Sequence, residues 1–196
     1  MQDSNRPLKL LGLSGSLRAG ANSEVVLQTA NSLLPPGVSF SMFRLHDVPL
    51  YNQDLDDTYK AAEAPKAVQA LRDAISQADG LIIASPEYNY GMPGVLKNAL
   101  DWASRPVFAS PMKGKPVLIM SSSLGNAGGA RAQNSIRETL VAMLARPLVR
   151  PDIAIPAVHQ SIVDGLITDA TSLQFMRQGV NDLVAEASRQ LVAQAS

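Results

Sequence analysis

Short apolar runs alternate along this chain with longer segments in which apolar residues recur every three or four positions. Leu8 to Ser14 predicts a strand leading into a Gly/Ser loop, and Ser23 to Leu34 a helix closed by Pro35-Pro36-Gly37. Val38 to Leu45 predicts a second strand, alternating at Val38, Phe40 and Met42 until Phe43 breaks the pattern. Pro65 suits the first turn of the next helix, where its missing N–H costs nothing, and Val68, Leu71 and Ile75 share one face of it. Leu81 to Ala84 predicts a third strand, too uniformly apolar to be half exposed. A short helix Gly94–Trp102 follows Pro93, then a strand Pro116–Ser121 and a long helix Gly128–Ala145. A fifth strand, Leu148–Ile155, is broken by Pro151. The last helix, Thr171–Ala195, carries Leu173, Met176, Val180, Leu183, Ala187 and Leu191 on one stripe.

Strand and helix alternating five times predict an α/β chain, a doubly wound parallel sheet with helices on both faces. Five strands suit the order 2-1-3-4-5, which binds its ligand outside the carboxyl ends of the strands. No repeat, low-complexity tract or linker divides residues 1–196, so one domain is expected, within the ~100–200 residues that a single core commonly serves. His46 to Ala64 is the one long irregular stretch, of the kind that often forms a functional lid.

Seventeen basic and seventeen acidic residues give a formal net charge of zero. That balance argues against a nucleic-acid partner, which calls for a basic stripe. A hydrophobic content of 46% with 17% charged residues belongs to a folded rather than a disordered chain. The absence of cysteine excludes disulfides, thiolate nucleophiles, cysteinyl metal sites and iron–sulfur clusters. No apolar run approaches the ~18 residues of a membrane span, and Met1–Lys9 is polar, so a soluble cytoplasmic protein is expected.

Three loops, after strands one, three and four, carry the candidate chemistry and gather at one edge of such a sheet. Gly12 to Ser23 is rich in small residues that let backbone N–H groups turn toward an anion ahead of a helix, with Ser14, Ser16, Ser23 and Asn22 as further donors and Arg18 as countercharge. It lacks the lysine of a Walker A loop, and Ser14 stands where a dinucleotide fingerprint needs glycine. Ser85 to Gly94 offers Tyr88 and Tyr90 to a planar ligand and Gly91 as a close-approach position with an open N–H. Ser121 to Gly129 presents several N–H groups to an electron-rich edge. Taken singly, each loop also reads as an ordinary Gly/Ser connection. Together they ask for a mononucleotide with a large aromatic head, and flavin mononucleotide (FMN) is the natural candidate.

Other constellations read as structure. Gly12-Leu13-Ser14-Gly15-Ser16 misses the final glycine of a nucleophile elbow. His46 and His159 stand alone, Asp54, Asp56 and Asp57 suggest a solvated loop rather than a metal site, and Met112, Met120 and Met143 suggest core filling. No metal site and no side-chain nucleophile are expected.

Gly15-Ser16-Leu17-Arg18, Pro86-Glu87-Tyr88-Asn89-Tyr90, the run from Pro93 to Pro106 and the segment Gly125–Gln133 resemble the NAD(P)H-dependent FMN reductases, nearest their chromate/quinone reductase and azoreductase branch. The resemblance runs from about Leu8 to Gln160. It implies a flavodoxin-like fold, bound FMN, and electron transfer from NADPH or NADH to quinones, azo compounds or metal oxyanions such as chromate. By position it implies Ser16, Arg18 and Ser23 at the FMN phosphate, Pro86, Glu87, Tyr88 and Asn89 along the ring and ribityl chain, and Ser123 and Gly125 at the ring's pyrimidine side. In the first loop the family commonly has Ser-aromatic-Asn, where this chain has Ala21-Asn22-Ser23. Arg18 or Arg105 is a further candidate for the adenosine phosphate of NADPH. A non-catalytic electron carrier or flavin-binding regulator keeps the same fold, but zero net charge fits poorly with docking on basic partners. Apolar residues of the helix Gly94–Trp102, with Val48, Pro49, Leu50 and Tyr51, suggest a homodimer or homotetramer.

Overall fold

The computed structural model describes residues 6–56 and 63–195, with side chains to residue 193. In chain order the principal elements are β1 Leu8–Ser14, α1 Asn22–Ser32, β2 Val38–Phe43, α2 Lys66–Gln77, β3 Gly80–Ser85, α3 Gly94–Ala103, β4 Pro116–Ser122 and α4 Ala130–Ala142. They are followed by β5 Arg146–Pro147, β6 Ile153–Ile155, β7 Ile162–Val163, β8 Leu166–Ile167 and α5 Ala170–Ala195. Part of the polar N-terminal stretch and Asp57 lie outside the described residues.

The main sheet runs β2-β1-β3-β4-β5 with every pair parallel, the doubly wound, flavodoxin-like order expected. The fifth strand differs from the expectation. It is two short pieces, β5 against Pro116 and Val117 and β6 against Met120, Ser121 and Ser122, on either side of Pro151. A proline offers no N–H to a ladder, so pairing lapses around it. The alternation of β3 and β4 sorts their side chains onto two cores. Leu81, Ile83, Val117 and Ile119 pack under α2, α3 and α4, while Ile82, Ala84, Leu118 and Met120 pack under α1 and α5. Leu81, Ile82 and Ile83 are fully buried, each worth roughly 1.5–3 kcal/mol relative to exposure. Met112, Met120 and Met143 are buried, as core filling requires.

Two further departures have local causes. The helix predicted from Gly128 starts at Ala130, because Gly128 and Gly129 take left-handed φ of 61° and 77°. The hairpin β7–β8 turns through Asp164-Gly165, both at positive φ, which matches a type I′ turn. Its strands are too short to show a period, though the Asp-Gly pair was a readable signal.

At the amino ends of the strands, Asp79 accepts two hydrogen bonds from Arg6 (2.5 and 2.7 Å) and one from the Lys9 N–H (2.8 Å). Burial pushes the Asp79 carboxyl up, but these donors and the Lys115 charge outweigh it and hold it below its ordinary value. Lys115 donates to the Ser76 and Ala78 carbonyls, and burial lowers its pKa.

Candidate functional site

The first loop is pinned to the sheet by one close approach. Gly15 N–H donates to the Ala84 carbonyl (2.8 Å), and a Cβ on Gly15 would lie 2.5 Å from Ser85 Oγ. A side chain there would force the loop off β3. Past this point the chain folds over its own hydroxyls: Ser16 N–H reaches Ser14 Oγ at 3.3 Å and Arg18 N–H reaches Ser16 Oγ at 3.3 Å. Ser14 Oγ also lies 2.8 Å from Ser23 Oγ, tying the loop's start to the first turn of α1. Glu24 and Val25 N–H donate to Ala21 O, whereas Asn22 and Ser23 N–H have no acceptor among the described residues. These two bare donors at the positive end of α1 make an anion seat. Arg18 lines the same cleft as Asn22 and Ser23, exposed and without an ion pair among the described residues.

The second loop contains a tight turn. Tyr88 and Gly91 exchange both backbone hydrogen bonds at 3.0 Å, with Asn89 and Tyr90 at φ of 50° and 67°. The expected open N–H of Gly91 is therefore used, and a Cβ there would meet only Ser135 Oγ, at 4.0 Å. Glu87 lines the cleft, and its carboxylate accepts the Arg131 N–H at 2.9 Å, in the first turn of α4. The Arg131 guanidinium lies 4.2 Å from the centroid of the Tyr90 ring, a cation–π contact.

The third loop turns under a second backbone constraint. A Cβ on Gly128 would come within 2.6 Å of Ala154 C. Ser123 spends its groups within the chain: its N–H bonds Ile155 O, its carbonyl accepts from Val158 N–H, and its hydroxyl bonds Gly125 O at 2.9 Å. Among the described residues the N–H groups of Leu124 to Gly129 have no acceptor, and of these residues Leu124 lines the cleft. Below the loop, buried Gln133 donates from Nε2 to Ser121 Oγ and to Ile153 O, both at 2.9 Å, joining α4 to β4 and β6.

Between the three loops lies a cleft of about 240 Å³ lined by residues of all three, with Ser16, Arg18, Asn22, Ser23, Pro86, Glu87, Tyr88 and Ser123 among them. Of the residues expected from sequence, Ser14, Asn89, Tyr90 and Gly125 do not line it. Ser14 braces the loop from behind, Asn89 and Tyr90 form the turn beside Tyr88, and Gly125 anchors Ser123. Ala21, Ser122 and Leu124 line the cleft and were not singled out; each neighbours a residue that was. Arg105 donates to the Tyr51 hydroxyl (3.1 Å) and is not among the lining residues.

Elsewhere, Asp56 is not simply solvated, since it pairs with Arg72 at 2.5 Å. The helix α3 buries Leu96, Ala99, Leu100, Trp102 and Ala103 within the chain, so the apolar residues of that helix need no second copy to cover them. Leu50 remains exposed, as do Tyr88, Tyr90 and Leu124 near the cleft. No described helix is long and apolar enough to cross a membrane.

Residues 8–160 match the family model described as NADPH-dependent FMN reductase. The chain is 42% identical over 177 residues to an NAD(P)H-dependent FMN reductase of Pseudomonas aeruginosa, covering 90% of this chain and 93% of that protein. It is 40% identical over 158 residues to a quinone reductase of Escherichia coli K12, covering 80% and 81%. Among solved structures it is similar to FerB, a flavoenzyme NAD(P)H:(acceptor) oxidoreductase of Paracoccus denitrificans, with a TM-score of 0.83 and 29% identity over 93% of this chain and 98% of that one.

Proposed function

The chain belongs to the NADPH-dependent FMN reductase family, and from that membership we propose that it passes electrons from NAD(P)H by way of FMN to quinones. It is an oxidoreductase that depends on FMN and NAD(P)H. The site suits the cofactor. The bare N–H groups of Asn22 and Ser23, with Arg18 beside them in the cleft lining, match a phosphate, and the Leu124 N–H matches the electron-rich edge of a ring. FMN, when bound, supplies the hydride and electron chemistry, so no side-chain nucleophile is needed.

The protein's part is to seat and polarise. Ser16, Asn22, Ser23 and Arg18 hold the phosphate end, while Pro86 and Tyr88 shape the wall beside the ring. The Leu124 N–H would offer a fixed dipole to the negative charge that gathers on reduction. The exposed Tyr88, Tyr90 and Leu124 around an open cleft support a homo-oligomer in which a second copy covers this edge. The reading takes residues 1–196 as one FMN-binding domain at work in the cytoplasm.

The observation that carries the proposal is the unpartnered α1 terminus under an unpaired arginine. Arg18→Ala is expected to weaken FMN about 10-fold while leaving riboflavin, which lacks the phosphate, unchanged. The FMN-loaded protein is expected to oxidise NADPH or NADH continuously when given a benzoquinone. Failure to turn over with any quinone would leave the electron-carrier reading in its place, and equal weakening of both flavins would move the phosphate elsewhere.

A further inference from the structure

We propose that His46 is a positioning residue for the anion seat, linking the segment after β2 to the first loop through the Leu17 carbonyl. The inference rests on the reading that the cofactor phosphate lies at the start of α1.

His46 Nε2 stands 3.0 Å from Leu17 O. A carbonyl only accepts, so Nε2 carries the hydrogen. The contact joins residues 29 apart in sequence, between two loops that share no other hydrogen bond among the described residues. In a trans peptide the carbonyl and the following N–H point to opposite sides. Holding the Leu17 carbonyl toward His46 therefore sends the Arg18 N–H the other way, to Ser16 Oγ at 3.3 Å. With a lone pair engaged by that N–H, the Ser16 hydroxyl keeps its own hydrogen free to donate into the cleft that Ser16 lines. Among the described residues His46 makes no hydrogen bond to a cleft-lining side chain, yet it fixes which way one of them offers its proton.

The segment that carries His46 is itself held firmly. Val48 N–H turns back to Leu45 O, and Leu45 is buried. Three residues beyond His46, the Pro49 carbonyl accepts from Asn98 Nδ2 and from Trp102 Nε1, both at 2.8 Å. Asn98 Oδ1 accepts the Tyr51 N–H at 2.7 Å. Both side chains belong to α3, so α3 anchors the segment and the segment anchors the first loop. Loosening Asn98, which does not line the cleft, is then felt at the phosphate, and only while His46 is present to transmit it.

The test measures FMN dissociation constants by quenching of flavin fluorescence in the intact chain, with thermal melting of each apo variant alongside. His46→Leu is expected to weaken FMN about 3- to 10-fold, the range of one net hydrogen bond. His46→Gln, which returns an N–H donor, is expected to recover most of that loss. Asn98→Ala is expected to weaken FMN 2- to 5-fold in the wild-type background and to add nothing in the His46→Leu background. Independent, multiplying effects of the two substitutions would overturn the link, and so would a His46→Leu variant that binds FMN as wild type does. Arg18→Ala separates the two levels. If it leaves FMN affinity unchanged, the phosphate reading itself fails. If it weakens FMN while His46→Leu does not, only the role of His46 fails.

Discussion

Replacing Gly15 by alanine probes the close approach on which the first loop depends. The new Cβ would stand 2.5 Å from Ser85 Oγ, 3.0 Å from Ser85 Cβ and 3.1 Å from Ser85 Cα. Rotating the serine hydroxyl relieves only the first of these contacts, because the other two belong to a fully buried residue of β3. The loop must therefore lift. Overpacking of this kind costs about 1–3 kcal/mol, and loss of the Gly15 N–H to Ala84 O bond adds about 0.5–1.5 kcal/mol. Taken together at about 2–4 kcal/mol, and at ~2–4 °C per kcal/mol for a chain of this size, the melting midpoint is expected to fall by roughly 4–16 °C. The same lift moves Ser16 and Arg18 away from the start of α1, so FMN affinity falls as well. Ser85→Ala combined with Gly15→Ala removes the 2.5 Å contact and leaves the others, so partial recovery of the midpoint is expected. Calorimetry and flavin fluorescence on the four proteins of that cycle check the reasoning. A Gly15→Ala variant with wild-type melting and wild-type FMN affinity would refute it.

Two other substitutions test the frame around the cleft. Gln133→Leu removes a buried amide and leaves Ser121 Oγ and Ile153 O without their donor, so a loss of about 2–4 kcal/mol in urea unfolding is expected; an unchanged midpoint would show that these groups are satisfied otherwise. Asp79 titrates below its ordinary value in the folded chain, so its ion pair stabilises the protein fully above the unfolded carboxylate pKa and is lost as pH falls through the folded one. The melting midpoint is therefore expected to drop as pH falls below ~4, and Asp79→Asn to flatten that drop while lowering stability at neutral pH. A variant with the wild-type acid slope would assign the slope to other carboxylates.

The sheet was legible in the chain because its central strands are continuous apolar runs. Leu81-Ile82-Ile83-Ala84 can be buried on both faces only at the middle of a parallel sheet, and that placed β3 beside β1 and β4. The start of α4 was not legible, since Gly128 and Gly129 continue a helical period but occupy left-handed φ, and Ala154 leaves no room for a Cβ on Gly128. At the site, Ser16, Arg18, Asn22, Ser23 and Tyr88 could be picked out because the residue type and the strand–loop–helix context agree. Ser14 could not be sorted from Ser16 by type: both are loop hydroxyls, and only the docking of Ser23 across the loop shows which one faces inward. Glu87 is legible as a cleft residue from its motif, but its bond from the Arg131 N–H, 44 residues away, is announced by no local pattern. The His46 contact with Leu17 is hidden for the same reason.

The Glu87 carboxylate has one more effect, on direction. Two helices begin beside the cleft, and an elongated molecule with a charged tail might be imagined lying either way round between them. At α4, Ala130 N–H bonds Ala127 O, Ala132 N–H bonds Gly129 O and Arg131 N–H bonds Glu87, so its positive pole is already neutralised by a carboxylate. Only α1 still attracts a dianion. The crevice is thus polarised along its length: the α1 end keeps its pull on an anion, whereas at the α4 end the helix pole, Glu87 and the Arg131 guanidinium 3.9 Å from it already balance one another.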